Sequence, residues 1–148
     1  MNSQLTVYKA SAGSGKTFTL AREYMTLVIA NPMAYRTILA VTFTNKATEE
    51  MKLRILSQLY GISQGLQESE GYLEQIHKAL PYLSKNIIRQ NAEMALHLLI
   101  HNYNYFRVMT IDTFFQSVLR NLARELDLTA NLRIGLNDAQ VGGKVEFP

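Results

Sequence analysis

Apolar residues recur along this chain in two rhythms, and each change of rhythm marks the border of an element. "LTVYKA" (5–10) is rich in β-formers and predicts a short strand. A glycine-bearing turn follows. In "KTFTLAREYMTLVIA" (16–30), Leu20, Tyr24, Leu27 and Val28 fall at helical spacing. Asn31 and Pro32 are expected to end that helix. "RTILAVTF" (36–43) is a continuous apolar run of the kind a buried parallel strand shows. "NKATEEMKLRILSQLYG" (45–61) returns to the helical rhythm, with Met51, Ile55 and Leu59 on its inner face and Gly61 at its end.

The polar stretch "GISQGLQESEGY" (61–72) carries three glycines and predicts a surface loop. "LEQIHKAL" and "KNIIRQNAEMALHLLIHNY" predict two helices separated around Pro81. In the second, Ile88, Ala92, Ala95 and Leu99 share one face. Residues 61–106 therefore read as a mainly helical insertion. "RVMTI" (107–111) predicts a third strand, and "DTFFQSVLRNLAREL" (112–126) a helix that Asp112 is placed to cap. Little period is read from 127 to 148, which is expected to be a tail, a linker or a truncated continuation. The order of elements predicts an α/β fold, a parallel sheet with flanking helices. Helix should exceed strand by a wide margin.

Composition narrows the class. Apolar residues make up 47% of the 148, enough for one domain with a real core. Charged residues are 18%, fewer than a soluble domain usually carries, as expected if another domain or subunit covers part of the surface. The net charge of +3 supports a nucleic-acid partner only weakly. With no cysteine, disulfides and thiolate chemistry are excluded. His97 and His101 have i,i+4 spacing without the surrounding pattern of a zinc helix, and a partly buried helix face is the simpler reading. The start, "MNSQLTVYKA", lacks the basic residues and apolar run of a secretory signal. No apolar run approaches the roughly 20 residues that span a bilayer. These features point to a cytoplasmic protein with no membrane partner.

The chemistry concentrates in "ASAGSGKT" (10–17). Gly15, Lys16 and Thr17 match the end of the phosphate-loop pattern GxxxxGK[ST], and the segment follows a predicted strand and opens a predicted helix. Ala10 stands at the first glycine position, where a methyl group is tolerated if the backbone keeps a negative φ. The loop amides and the positive end of the helix would face β- and γ-phosphates. Lys16 would neutralise their oxygens, and the Thr17 hydroxyl would ligate magnesium. Further along, Thr42, Thr44 and Asn45 lie where a strand ends and a helix begins, which suits the capture of a backbone phosphate. Phe43 offers a flat face to a base, and Lys46, Lys52 and Arg54 add positive charge. The same residues fit a second arrangement, in which Thr44 or Asn45 only caps the helix and Phe43 sits in the core.

"ASAGSGKT" together with "AVTFTNKATEEMKLRI" (40–55) resembles motifs I and Ia of the UvrD-like superfamily 1 helicases, where alanine is common at the position of Ala10. "VMTIDTFFQSVLRNLAREL" (108–126) resembles the next family segment, with Asp112 in place of a frequent histidine, and looks closest to the RecB/AddA-like branch of helicase–nuclease subunits. The resemblance covers most of residues 5 to 126. It implies a P-loop NTPase (RecA-like) fold and an ATP-dependent DNA helicase. Ala10, Ser11, Ala12, Gly13, Ser14, Gly15, Lys16 and Thr17 would bind ATP and Mg2+, with Lys16 and Thr17 as the catalytic pair. Thr42, Phe43, Thr44, Asn45 and Lys46 would face single-stranded DNA, and Thr110 and Asp112 would lie beside the same track. For Asp112, whose carboxylate repels phosphate, capping the helix is the favoured role. The resemblance also implies the front piece of a larger motor, with further motor domains and a partner helicase–nuclease subunit. An apolar strand ending in Asp-Glu, which such motors need, is absent from these 148 residues, and "VMTID" is its nearest mimic. A small P-loop kinase and a non-catalytic nucleotide-binding module are the alternatives. A kinase should ignore DNA, and hydrolysis measurements separate the module from both enzymes.

Overall fold

The computed structural model describes the backbone of residues 14–137 and the side chains of residues 17–127. Helix α1 (Ser14–Ala30) leads through a 3-10 turn (Pro32–Thr37) into strand β1 (Leu39–Thr42). Helix α2 (Asn45–Gln64), a 3-10 turn (Gln67–Ser69), helix α3 (Glu70–Ala79) and helix α4 (Lys85–His101) follow. A last 3-10 turn (Tyr103–Tyr105) precedes strand β2 (Arg107–Thr110) and helix α5 (Ile111–Asn137). The chain is α/β as predicted. Its two strands pair in parallel, from Leu39 opposite Arg107 to Thr42 opposite Thr110. The strand predicted at 5–10 lies outside the described residues. The chain divides into two compact units, Met1–Ile111 and Asp112–Pro148.

The first unit is organised around three helices. α1 buries Ala21, Met25, Val28 and Ile29, α2 buries Met51, Ile55, Leu59 and Ile62, and α4 buries Ile88, Ala92, Ala95 and Leu99. α4 packs against both α1 and α2. The four α4 residues are those the helical period places on one face. The end of α1 is fixed by a long-range hydrogen bond. Asn91 Nδ2 donates to the Ile29 carbonyl at 2.8 Å, one of the last-turn carbonyls that the helix itself leaves without a partner.

Several boundaries differ from expectation, each for a local reason. Leu27 is exposed, because the buried stripe of α1 is centred on Ala21, Met25 and Val28. Asn31 does end α1, but its Oδ1 accepts from Met33 N at 3.2 Å and caps a 3-10 turn that the apolar pattern does not predict. β1 covers only four residues and is buried on one face: Ala40 and Thr42 point inward and Leu39 does not. α2 runs through Gly61 to Gln64 and ends at Gly65, whose φ of 68° is the left-handed conformation that favours glycine. Leu66 N donates to Gly61 O at 2.9 Å and Gly65 N to Ile62 O at 3.2 Å, the paired bonds of a Schellman cap. Gly61 is therefore a packing glycine, since a Cβ there would lie 1.9 Å from Ser69 Oγ. Ser69 is itself buried and donates to Gln58 Oε1 at 2.8 Å. The segment 61–72 is thus a helix end, a 3-10 turn and a helix start rather than a loop.

The described part of the second unit is helix. α5 continues past Leu126 to Asn137, into the stretch expected to be a tail. Asp112 does not sit at the cap. The helix has already begun at Ile111, and Asp112 lies within its first turn, where a carboxylate is still favoured by the positive end of the helix. No described helix is long and apolar enough to cross a membrane.

Candidate functional site

Of the predicted phosphate loop, Ala10, Ser11, Ala12 and Gly13 lie outside the described residues. Ser14, Gly15, Lys16 and Thr17 form the first turn of α1. The first N–H groups of a helix have no intrahelical acceptor, and the helix dipole makes that end positive. No acidic residue stands in this turn to compete for those groups. Thr17 is partly buried. Its neighbour Phe18 stacks on Tyr72, in the first turn of α3, with ring centroids 4.2 Å apart. That contact, which no sequence motif announces, ties the start of α1 to the body of the unit. A cleft of about 350 Å³ opens beside the pair, lined on α2 by Glu50, Arg54 and Gln58.

The second cluster sits at the C-terminal edge of the sheet. Thr42 and Thr110 end their strands side by side, in register. Both are buried, because strand alternation points residues 40, 42, 108 and 110 to the packed face. The Thr42 hydroxyl is 2.5 Å from that of Thr48, and weaker bonds of 3.3 and 3.4 Å reach the Thr44 and Met109 carbonyls. Thr44 is the N-cap of α2, its Oγ1 accepting from Ala47 N at 3.0 Å. So Thr42, Thr44 and Thr48 form an internal clasp between strand end and helix start. Thr48 escapes the sequence reading, although it stands one helical turn after Thr44.

This clasp sets the direction of what remains outside. Phe43 is 58% exposed, which overturns the core placement and leaves an aromatic face in solvent. Asn45 and Lys46, in the first turn of α2, are also exposed. Lys46 has no carboxylate partner among the described residues. The edge thus presents a ring, an amide, a cation and free helix-start N–H groups, and it withholds the Thr42 and Thr110 hydroxyls. Asp112 belongs to the second unit. Among the described residues no group of three or more His, Asp or Glu could hold a metal ion. His97 and His101 lie ring to ring at 3.9 Å on α4.

The family described as the UvrD/REP helicase N-terminal domain matches residues 1–142. The chain is 33% identical over 113 residues to "RecBCD enzyme subunit RecB" of Chlamydia pneumoniae, covering 75% of this chain and 10% of that protein. It is 30% identical over 128 residues to an "ATP-dependent helicase/nuclease" subunit of Clostridium novyi, covering 85% of this chain and 8% of the relative. Over 46 residues it is 52% identical to "ATP-dependent DNA helicase UvrD1" of Mycobacterium leprae, covering 31% of this chain and 6% of that protein. The chain spans a tenth or less of the length of these relatives. No solved structure matches it.

Proposed function

We propose, because the chain belongs to the UvrD/REP helicase N-terminal domain family, that it supplies the ATP-binding front part of an ATP-dependent DNA helicase or helicase–nuclease. The observation that carries this reading is the triplet Gly15, Lys16 and Thr17, placed on α1 within the residues that the family matches. A helix that opens in this segment would offer free amides to an anion, and the residue types are those that bind a magnesium triphosphate. In this reading the loop 10–17 cradles the β- and γ-phosphates, Lys16 neutralises them as bonds change, and Thr17 holds Mg2+. Single-stranded DNA runs over the C-terminal edge of the sheet, with Phe43 against a base and Lys46 against a phosphate. Asn45 serves the same track, with the exposed Thr44 capping α2 beside it and Thr42 and Thr110 buried behind the edge. Later motor domains and a partner subunit complete the machine, and the whole translocates along one strand. The P-loop, RecA-like architecture follows from the same membership.

Lys16→Ala tests the nucleotide half. A hydrogen bond to a charged group contributes about 1.5–3 kcal/mol, so the variant should bind an ATP analogue about 10- to 150-fold more weakly by calorimetry. Equal affinity in a variant that melts like the parent would remove the assignment.

Phe43→Ala and Lys46→Ala test the DNA half. Losing a stacked base should cost about 1–3 kcal/mol of single-strand affinity. Losing a phosphate contact should weaken all sequences alike and lower the salt slope by about 0.7. Because Phe43 is exposed, its removal should leave thermal melting within about 0.5 kcal/mol of the parent. Unchanged DNA affinity in both variants would take the DNA role away from this edge. A kinase of similar loop chemistry would show no DNA binding to lose.

A further inference from the structure

The opposite, N-terminal edge of the sheet carries a second set of cations and rings. Arg36 lies three residues before β1, and Arg107 is the first residue of β2. Both are exposed. The Arg36 guanidinium carbon lies 5.2 Å from the centre of the Tyr105 ring, and that of Arg107 lies 5.8 Å from the same centre. Beside them, Lys52 Nζ stands 5.0 Å from the centre of the Tyr103 ring, which is half exposed. None of the three cations has a carboxylate partner among the described residues. Glu49, one turn before Lys52 on α2, makes no ion pair with it.

Two like charges gathered on one ring repel each other, and an anion placed between them relieves the repulsion. Arg36 is also oriented: its Nε donates to Tyr35 Oη at 3.0 Å, and the Tyr35 ring is fully buried. The terminal nitrogens remain as a fork, the geometry that suits a phosphodiester. Exposed rings beside such forks are what single-stranded nucleic acid uses for stacking. An acidic peptide would use the charges but not the ring faces.

We propose that this N-terminal edge is a second contact surface for single-stranded nucleic acid, in which Arg36 and Arg107 hold backbone phosphate and Tyr103 takes a base. It is distinct from the Phe43 edge, since each strand is four residues long and separates the two edges by about 10 Å. The inference rests on the DNA-binding reading for its ligand, but not on Phe43 or Lys46.

The test is a salt titration of the 148-residue chain with a dye-labelled oligothymidylate. Arg36→Gln/Arg107→Gln should lower the slope of log affinity against log salt by about 1.4, which is two contacts at about 0.7 each. Arg36→Lys/Arg107→Lys, which keeps both charges, should restore most of that slope. Tyr103→Ser, in a variant checked to melt like the parent because the ring also meets the buried Phe106, should lower affinity at fixed salt about fivefold or more. Parent-like slope and affinity in the glutamine pair and in Tyr103→Ser would overturn the proposal. So would an absence of oligothymidylate binding by the parent, or equal competition by polyglutamate of matched charge. Losses confined to Phe43→Ala and Lys46→Ala would overturn this surface and leave the other edge standing. Losses confined to Arg36, Arg107 and Tyr103 would do the reverse.

Discussion

ATP turnover by the 148-residue chain alone should lie about 10³–10⁵ below a helicase-like rate, the factor that a missing transition-state arginine typically removes. The sequence matches the phosphate-loop pattern at 10–17 but has no apolar strand ending in Asp-Glu to polarise an attacking water. Its nearest approach to an acidic strand end is "VMTID" (108–112). There β2 ends at Thr110, and Asp112 is already inside the first turn of α5. Thr113 follows where a glutamate would be needed. A carboxylate in a helix start is spent on the helix dipole. Phosphate release measured with and without single-stranded DNA checks this expectation. Fast, DNA-stimulated release that Lys16→Ala abolishes would mean that this segment does act as the acidic strand end. Fast release indifferent to DNA would favour the kinase alternative.

The helices are legible in the sequence where their apolar stripe is long. Ile88, Ala92, Ala95 and Leu99 on α4, and Met51, Ile55 and Leu59 on α2, are buried as the period requires. The period also holds the answer at two places where the expected boundary falls short of it. Ile62 extends the α2 stripe beyond Gly61, so the glycine that ends the helix is Gly65. Leu128, Leu132 and Leu136 recur every four residues within the part of α5 expected to be a tail. A glycine signals a helix end only through a positive φ, and a sequence does not show which of two glycines has it.

The candidate site is legible in its chemistry and less so in its directions. Phe43 stands open between core and solvent in the sequence because an apolar run such as "ILAVTF" fits burial on one face or on both. The short, one-sided β1 decides it: alternation puts Ala40 and Thr42 inside and leaves Phe43 outside. The same alternation turns Thr42 and Thr110 away from solvent, although residue type alone groups them with Phe43 and Lys46. The cation–ring contacts at the other edge join Arg36, Lys52 and the stretch 103–107 from three separate parts of the chain. No local spacing announces such a cluster.

Leu99→Ala should destabilise the chain by about 2–5 kcal/mol, the range for truncating a fully buried leucine. Leu99 is 0% exposed and belongs to the α4 face that meets α1 and α2. Its neighbour Ile100 is 55% exposed, because one step along a helix turns a side chain by about 100°. Ile100→Ala should therefore stay within about 0.5 kcal/mol of the parent. Urea unfolding of the two variants measures the difference directly. Equal losses would mean that α4 buries a different face, and a larger loss at Ile100 would mean that it is rotated. The size of the Leu99 effect also bears on the function tests. Domains of this kind are stable by only about 5–15 kcal/mol, so one cavity in α4 can use up much of that margin. A site variant that unfolds the chain would lose ATP and DNA together. Phe43 and Arg36 are exposed, so a selective loss of one ligand with parent-like melting separates a contact from a collapse.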